Sequence, residues 1–188
     1  MALELVMVGT GSPLPDAGRA GPSQLVGADG RWFLFDAGRG CLMRLAAAGV
    51  GPAEIERLFL THLHSDHVTD VNDVITTRWI TGFPPTPLPV VGPAGTQRFV
   101  DDTLRMLGSD IGWRVAHHED LVAGPEVPVT ETTGVEGEVV LDDGVRIIAT
   151  PTDHRPVHPT VAYRVDADGR SVVLAGDTVP CGGLDLLC

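Results

Sequence analysis

The chain has 188 residues, of which 43% are apolar and 20% charged, the size and composition of one globular domain. Its formal net charge is −12 and all its basic residues are arginines, so its general surface is poorly suited to bind a long polyanion through many cationic contacts. The sequence shows neither an apolar run long enough to cross a membrane nor a basic-then-apolar leader, which predicts a soluble, cytoplasmic protein.

The three cysteines are odd in number, widely spaced and without the paired spacing of a metal site. They are Cys41, Cys181 and Cys188. This pattern favours free thiols in a reducing compartment over a disulfide.

The N-terminal part of the chain predicts β-structure. An apolar run over residues 3–8 ends in a Gly-Thr-Gly turn, where two nearby prolines argue against a dinucleotide-binding loop. Residues 23–26 and 31–35 form a predicted hairpin around Asp29-Gly30, a pair that favours the positive φ angles of a two-residue turn.

Asp36 follows this hairpin and precedes a predicted helix over residues 40–48, which ends at Gly49. Its carboxylate has two possible structural roles. It caps the helix, or it orients a ligand histidine from behind. Neither role makes it a metal ligand.

Three imidazoles and a carboxylate then occur within six positions, directly after the apolar run 58–60; they are His62, His64, Asp66 and His67. These donors suit a borderline-soft divalent metal and are costly in a core without a partner. The alternation of His62 and His64 directs both rings to one side of the chain, and Asp66 and His67 come where a helix begins. The stretch predicts two half-sites, as two-metal hydrolysis requires; the alternative is a histidine-rich loop that binds nothing in particular.

The middle of the chain carries fewer chemical signals. Apolar residues at helical spacing predict a helix over 66–80 that buries Trp79 in the core, and a proline-rich loop follows over 82–87. Further predicted elements are a strand over 88–91, a helix from about residue 94, strands over 127–132, 138–141 and 145–149, and a hairpin turn at Asp143-Gly144.

A polar cluster in this region, His117-His118-Glu119-Asp120, offers alternative ligands. It is less favoured because adjacent side chains point apart. The sequence contains no repeat, low-complexity tract or linker, so residues 1–188 form a single predicted domain.

Further donors follow in the C-terminal part. His154 closes a predicted strand, with His158 as an alternative, and Arg155 beside it is placed to hold an anionic substrate oxygen by a charge-assisted bond. Asp177 ends a buried strand, where a carboxylate often does no more than cap the next helix.

The Thr-His-x-His-x-Asp-His stretch resembles the signature of the metallo-β-lactamase superfamily, whose members are mostly metal-dependent hydrolases with an αββα sandwich fold. The resemblance implies that His154 completes the three-imidazole set of the first metal and that Asp177 bridges both ions. The Gly-Thr-Gly turn, Ala-Tyr-Arg at 162–164 and Gly-Asp-Thr at 176–178 are most similar to the ribonuclease Z and arylsulfatase-like branch.

The chain departs from the superfamily after Asp177. Superfamily enzymes carry another histidine ligand there, with more strands and helices, and this sequence has neither. We therefore expect an αββα sandwich whose C-terminal part is missing, a weakened second metal site, an unpaired sheet edge and exposed apolar surface.

The resemblance implies a metal-dependent phosphodiesterase that uses a metal-activated hydroxide, with one or two Zn²⁺ ions, or Mn²⁺ as an alternative, and with Asp66 orienting or deprotonating the water. Alternatives are an arylsulfatase-like sulfate ester hydrolase, a β-lactam or thioester hydrolase, and an inactive truncated fragment with a partial metal site. The sequence leaves open the metal, the natural substrate and whether the protein is a homo-oligomer.

A small anionic ester is the predicted substrate, in preference to tRNA. The interval between His154 and Asp177 has no room for the long arm that many ribonuclease Z proteins insert there, and the net charge is −12. Transfer RNA stays an alternative.

Overall fold

The computed structural model describes residues 3–135, 137–142 and 144–188. Within these ranges the strands form two sheets. The first sheet contains, in spatial order, β1 (Glu4–Gly9), β2 (Ser23–Ala28), β3 (Arg31–Phe35), β4 (Ile55–Phe59), β5 (Val90–Gly92) and β6 (Val129–Glu131). The second contains β7 (Glu138–Asp142), β8 (Val145–Pro151), β9 (Val161–Ala167) and β10 (Arg170–Leu174), in the order β10-β9-β8-β7.

The helices occupy the outer layers. They are α1 (Cys41–Ala47), α2 (Ser65–Val68), α3 (Val71–Thr81), α4 (Thr96–Met106), α5 (Gly108–His117) and α6 (Gly182–Leu187). In the part of the chain that the structure describes, no helix combines the length and apolar character needed to span a membrane.

The first sheet is antiparallel from β1 to β3 and parallel from β3 to β6. Its central strands are buried on both faces, as parallel strands usually are. Leu34 and Leu58 pack towards α1 and α3, whereas Phe35 and Phe59 stack at 4.7 Å between centroids in the core shared with the second sheet. Alternation along single strands thus builds two hydrophobic layers from one sheet.

The second sheet is antiparallel throughout and also alternates. Val145, Ile147 and Ala149 of β8 face the shared core, and α6 packs on β8 and β9 from the other side. The layers are therefore helix, sheet, sheet and helix. Leu5 and Met7 of β1, the edge strand of the first sheet, are about half exposed.

Two hydrogen bonds join the sheets beside the histidine stretch. The buried Tyr163 hydroxyl donates to the carbonyl of Leu60 at 2.8 Å, and the Val161 amide donates to the carbonyl of Thr61 at 2.9 Å. Both acceptors directly precede His62. The second sheet therefore sets the position of the first ligand motif.

Most predicted elements are present. The β2–β3 hairpin turns at Asp29 and Gly30, with φ angles of 50° and 78°. Of the second predicted turn, Asp143 lies outside the described residues, although Asp142 pairs with Val145 as a hairpin requires.

The predicted helix over 66–80 is wrong in one respect, because the segment forms two helices, α2 and α3. The amide of Asp70 donates to the carbonyl of Ala37 at 2.9 Å instead of continuing the α2 ladder. The sequence pattern does not predict helix α5. None of its described residues is buried, so its sequence has no core-facing apolar stripe by which a helix is recognised.

A buried guanidinium fastens α3 to its surroundings. Arg78 is 7% exposed and donates to the carbonyls of Ile55, Ala53 and Pro87 at 2.6, 3.0 and 3.0 Å. Arg78 therefore connects the start of β4 with the proline-rich loop.

We expect Arg78→Met to lower the free energy of unfolding by about 2–4 kcal/mol, because the buried carbonyl of Ile55 and the part-buried carbonyls of Ala53 and Pro87 lose a charged donor. Urea denaturation measures the change. Arg98→Met is the matched control, since that side chain is 89% exposed and pairs with Asp102 at the surface. Equal effects of the two substitutions would contradict this account.

The three cysteines are free thiols, as predicted. Burial raises the pKa of the Cys41 thiol to about 12, whereas a backbone hydrogen bond at Leu184 lowers the pKa of Cys181. Cys188 is exposed.

In the native protein near pH 8, we expect Cys181 and Cys188 to react quickly with Ellman's reagent, since thiolate is the reactive form. Cys41 should react only after denaturation. Time-resolved absorbance distinguishes the two classes, and a Cys41→Ala variant identifies the slow thiol. Fast reaction of Cys41 in the native state would contradict its buried position.

Candidate metal centre

Four side chains from separate parts of the chain bring donor atoms together. The donors of His62, His64, His154 and Asp177 all lie within 4.8 Å of one another. Nε2 of His62 is 3.1 Å from Nδ1 of His64, and Nε2 of His154 is 3.4 Å from the same atom. Ligand atoms around a tetrahedral zinc ion at about 2.0–2.1 Å are roughly 3.3 Å apart, so the group has the spacing of a metal site.

A second group adjoins the first. Nε2 of His67 lies 3.4 Å from Oδ1 of Asp177 and 3.9 Å from Oδ2 of Asp66. This nitrogen is buried and has no hydrogen-bond partner among the described residues. A buried polar atom without a partner is costly, and a cation between these donors accounts for it.

Asp177 faces both groups. Its Oδ1 lies near His67, and its Oδ2 lies 3.7 Å from Nε2 of His154. The Asp177 side chain is 47% exposed and that of His154 27%, whereas that of His67 is 2% exposed. The centre therefore has a buried floor and opens to solvent beside His154 and Asp177.

Asp36 lies beneath both groups: it contacts His67 of the second group directly and reaches His62 of the first group only through Thr61. Its Oδ2 accepts a hydrogen bond from Nδ1 of His67 at 2.7 Å and from the Thr61 hydroxyl at 2.8 Å. The same hydroxyl is 3.0 Å from Nδ1 of His62. Because Nδ1 of His67 donates to a carboxylate, its Nε2 is left as the atom available to a metal.

The pKa values of the two rings are shifted in opposite directions. Burial, followed by the charge of His67, lowers the pKa of His62 to about 4, so this ring is neutral near pH 7. Burial acts against the charged form of His67 as well, but the hydrogen bond and charge of Asp36, with Asp177 and Asp66, outweigh it and raise the pKa of His67.

The backbone at strand ends positions these side chains. Asp36 follows β3, and the histidine stretch follows β4, so both lie at the carboxyl end of neighbouring parallel strands. Asp36 has a φ of 56°, in the left-handed region, which Asp tolerates better than most residues.

The Asp177 loop approaches this edge through Gly176. Its φ is 62°, and a Cβ placed there would lie 2.8 Å from the side chain of Thr61. Glycine is therefore required at this position for both conformation and space.

The structure brings together the six predicted ligands: His62, His64, Asp66, His67, His154 and Asp177. The alternatives are placed elsewhere, since His158 and the cluster at 117–120 are exposed and outside the donor group. The Arg155 side chain is 85% exposed and its guanidinium donates two hydrogen bonds to Asp153, so its contact with substrate stays a prediction.

For Asp36, the capping role is wrong. Helix α1 begins after Gly40, its Leu42 amide donates to Asp70, and the Asp36 carboxylate instead contacts His67 and Thr61. Sequence reasoning missed Thr61 and Gly176. The only signal for them is their position directly before His62 and Asp177, which does not distinguish a functional contact from an ordinary strand end.

A family model described as the metallo-beta-lactamase superfamily matches residues 17–186. The ribonuclease Z of Mycobacterium avium is 58% identical over 187 residues, and the match covers 98% of this chain and 66% of that protein. The chain thus spans just under two thirds of that relative's length.

Solved structures share the fold. The short form of human tRNase Z has a TM-score of 0.76 at 23% identity, covering 98% of this chain and 73% of that one. For YhfI from Bacillus subtilis the TM-score is 0.70 at 18% identity, with 93% and 63% covered.

These likenesses and the partial coverage confirm the predicted αββα sandwich from which part is missing. The family model extends over most of the sequence and includes all six clustered donor residues. The chain belongs to the metallo-beta-lactamase superfamily.

Proposed function

We propose that the chain carries the metal centre of a phosphodiesterase of the ribonuclease Z type, which hydrolyses precursor tRNA. The observation that carries the proposal is the convergence of four donor atoms within 4.8 Å. The buried, unpartnered Nε2 of His67 beside Asp66 and Asp177 supports a second ion.

His62, His64, His154 and Asp177 would hold the first ion, and Asp66, His67 and Asp177 the second. Imidazole and carboxylate donors suit Zn²⁺, with Mn²⁺ as the alternative. The cation supplies Lewis acidity and makes water a nucleophile near neutral pH. The second group offers fewer donors than the first, so we expect weaker binding there.

The protein's own groups direct the reaction. Asp66 is buried next to His67 and is the candidate to orient the attacking water and accept its proton. Asp36 bonds His67 directly and reaches His62 through Thr61. These contacts hold both imidazole rings in the orientation needed to bind metal. The open side beside His154 and Asp177 admits the substrate.

For the substrate, RNA replaces the small ester predicted from charge and spacing. A relative with 58% sequence identity is named ribonuclease Z. We give this similarity more weight than the general argument from net charge. An acidic protein can still bind RNA where a few phosphates meet cations locally, and exposed Arg155 near the open side is a candidate contact. The relatives give no support to a sulfate ester substrate, and we do not propose one.

We expect the purified chain, loaded with Zn²⁺ or Mn²⁺, to cleave a precursor tRNA with extended ends, and to lose this activity on chelation. Gel electrophoresis of labelled RNA maps the product. Bis(p-nitrophenyl) phosphate, p-nitrophenyl sulfate and a chromogenic cephalosporin separate phosphodiesterase, sulfatase and lactamase chemistry. Metal binding without turnover of any ester would instead select the inactive fragment.

We expect His154→Gln to weaken binding of the first ion by about 100-fold or more, since an imidazole ligand is lost. His158→Gln, in the same loop, should bind metal like the unaltered chain. Competition with a chelating dye measures the affinity, and elemental analysis counts the ions. The reverse ranking of the two variants would overturn the assignment of His154.

A further inference from the structure

Thr61 occupies a small buried space between a carboxylate and an imidazole. It is 2% exposed, and its hydroxyl oxygen lies 2.8 Å from Oδ2 of Asp36 and 3.0 Å from Nδ1 of His62. No side-chain atom of Asp36 is recorded in a hydrogen bond with His62 among the described residues, so the hydroxyl is the link between them.

The number of protons decides the direction of these two bonds. A hydroxyl has one proton to donate, and a carboxylate can only accept. A bond to the charged oxygen of Asp36 is stronger than one to a neutral ring nitrogen, so the hydroxyl donates to Asp36. Nδ1 of His62 must then carry a proton and donate it to the hydroxyl oxygen.

This direction fixes where His62 has its free electron pair. With the proton on Nδ1, Nε2 is unprotonated, and it is Nε2 that lies 3.1 Å from Nδ1 of His64 in the donor group. If the hydroxyl pointed the other way, the proton would lie on Nε2, where it would block a metal.

The hydroxyl is also held in place. The Thr61 amide donates to Oδ1 of Asp36 at 2.8 Å, and its carbonyl accepts from the Val161 amide at 2.9 Å. Gly176 packs against the Thr61 side chain so closely that a Cβ would collide with it. Strands from both sheets and the Asp177 loop therefore leave the hydroxyl in one orientation.

We propose that Thr61 is a positioning residue whose hydroxyl transmits the orientation of Asp36 to His62 and selects the tautomer that leaves Nε2 free. This role rests on the proposed metal centre, because the free Nε2 matters only if His62 binds a metal. The tautomer itself can be measured in the protein without metal. Among the described residues, the Thr61 hydroxyl bonds Asp36 and Nδ1 of His62 and no donor atom of the metal group.

The test compares Thr61→Val, which keeps the shape and removes the hydroxyl, with Thr61→Ser, which keeps the hydroxyl. In the metal-free chain, ¹⁵N-¹H correlation spectra of the histidine rings report the tautomer. We expect the Nδ1-protonated form of His62 in the unaltered chain and in Thr61→Ser, and loss of that preference in Thr61→Val. Retention of the Nδ1-protonated form in Thr61→Val would overturn the proposal.

Metal affinity provides the second measurement. We expect Thr61→Val to weaken binding of the first ion about 10–100-fold, the usual effect of losing a partner behind a ligand, and Thr61→Ser to restore it. Thr103→Val is the matched control, because Thr103 is a buried threonine whose hydroxyl bonds within α4. An equal loss in Thr103→Val would mean a general stability effect and would overturn the proposal.

The outcomes separate this proposal from the proposed function. If the unaltered chain binds no metal, the proposed function fails, and the ring spectra still decide the role of Thr61. If Thr61→Val does not fold, Thr61→Ala removes the same hydroxyl with less steric change, and the two measurements apply to it unchanged.

Discussion

The buried carboxylate of Asp36 is the constraint on which the candidate metal centre depends. It accepts hydrogen bonds from the Thr61 amide, the Thr61 hydroxyl and Nδ1 of His67, and each donor belongs to the ligand stretch that follows β4. A carboxylate satisfied in this way is stable inside a protein. Because β3 and β4 are parallel neighbours, Asp36 after β3 and its donors after β4 lie at the same edge of the sheet.

The sequence allows much of this arrangement to be predicted, because the strongest signals are local. Alternating apolar residues define the strands, the pair Asp29-Gly30 defines a hairpin, and the closely spaced donors from His62 to His67 define a metal site. The positions of His154 and Asp177 depended on family resemblance, since neither has a local pattern that separates a ligand from a helix cap.

What escaped prediction was decided by contacts between distant segments. The break between α2 and α3 arises because the Asp70 amide bonds Ala37, and the importance of Gly176 arises from its approach to Thr61. Net charge says little about which substrate a site binds. It sums over the whole surface, whereas recognition depends on the few groups that line an opening.

The two bonds that Tyr163 and Val161 make across the sheets have a consequence for folding. They join β9 to the residues before His62, while His154 and Asp177 extend from the second sheet towards the same point. An ion held by both sets would act as a cross-link between the two halves of the sandwich. A ligand that binds only the native state stabilises that state by mass action. The free energy of unfolding of this protein would therefore increase with the concentration of free metal.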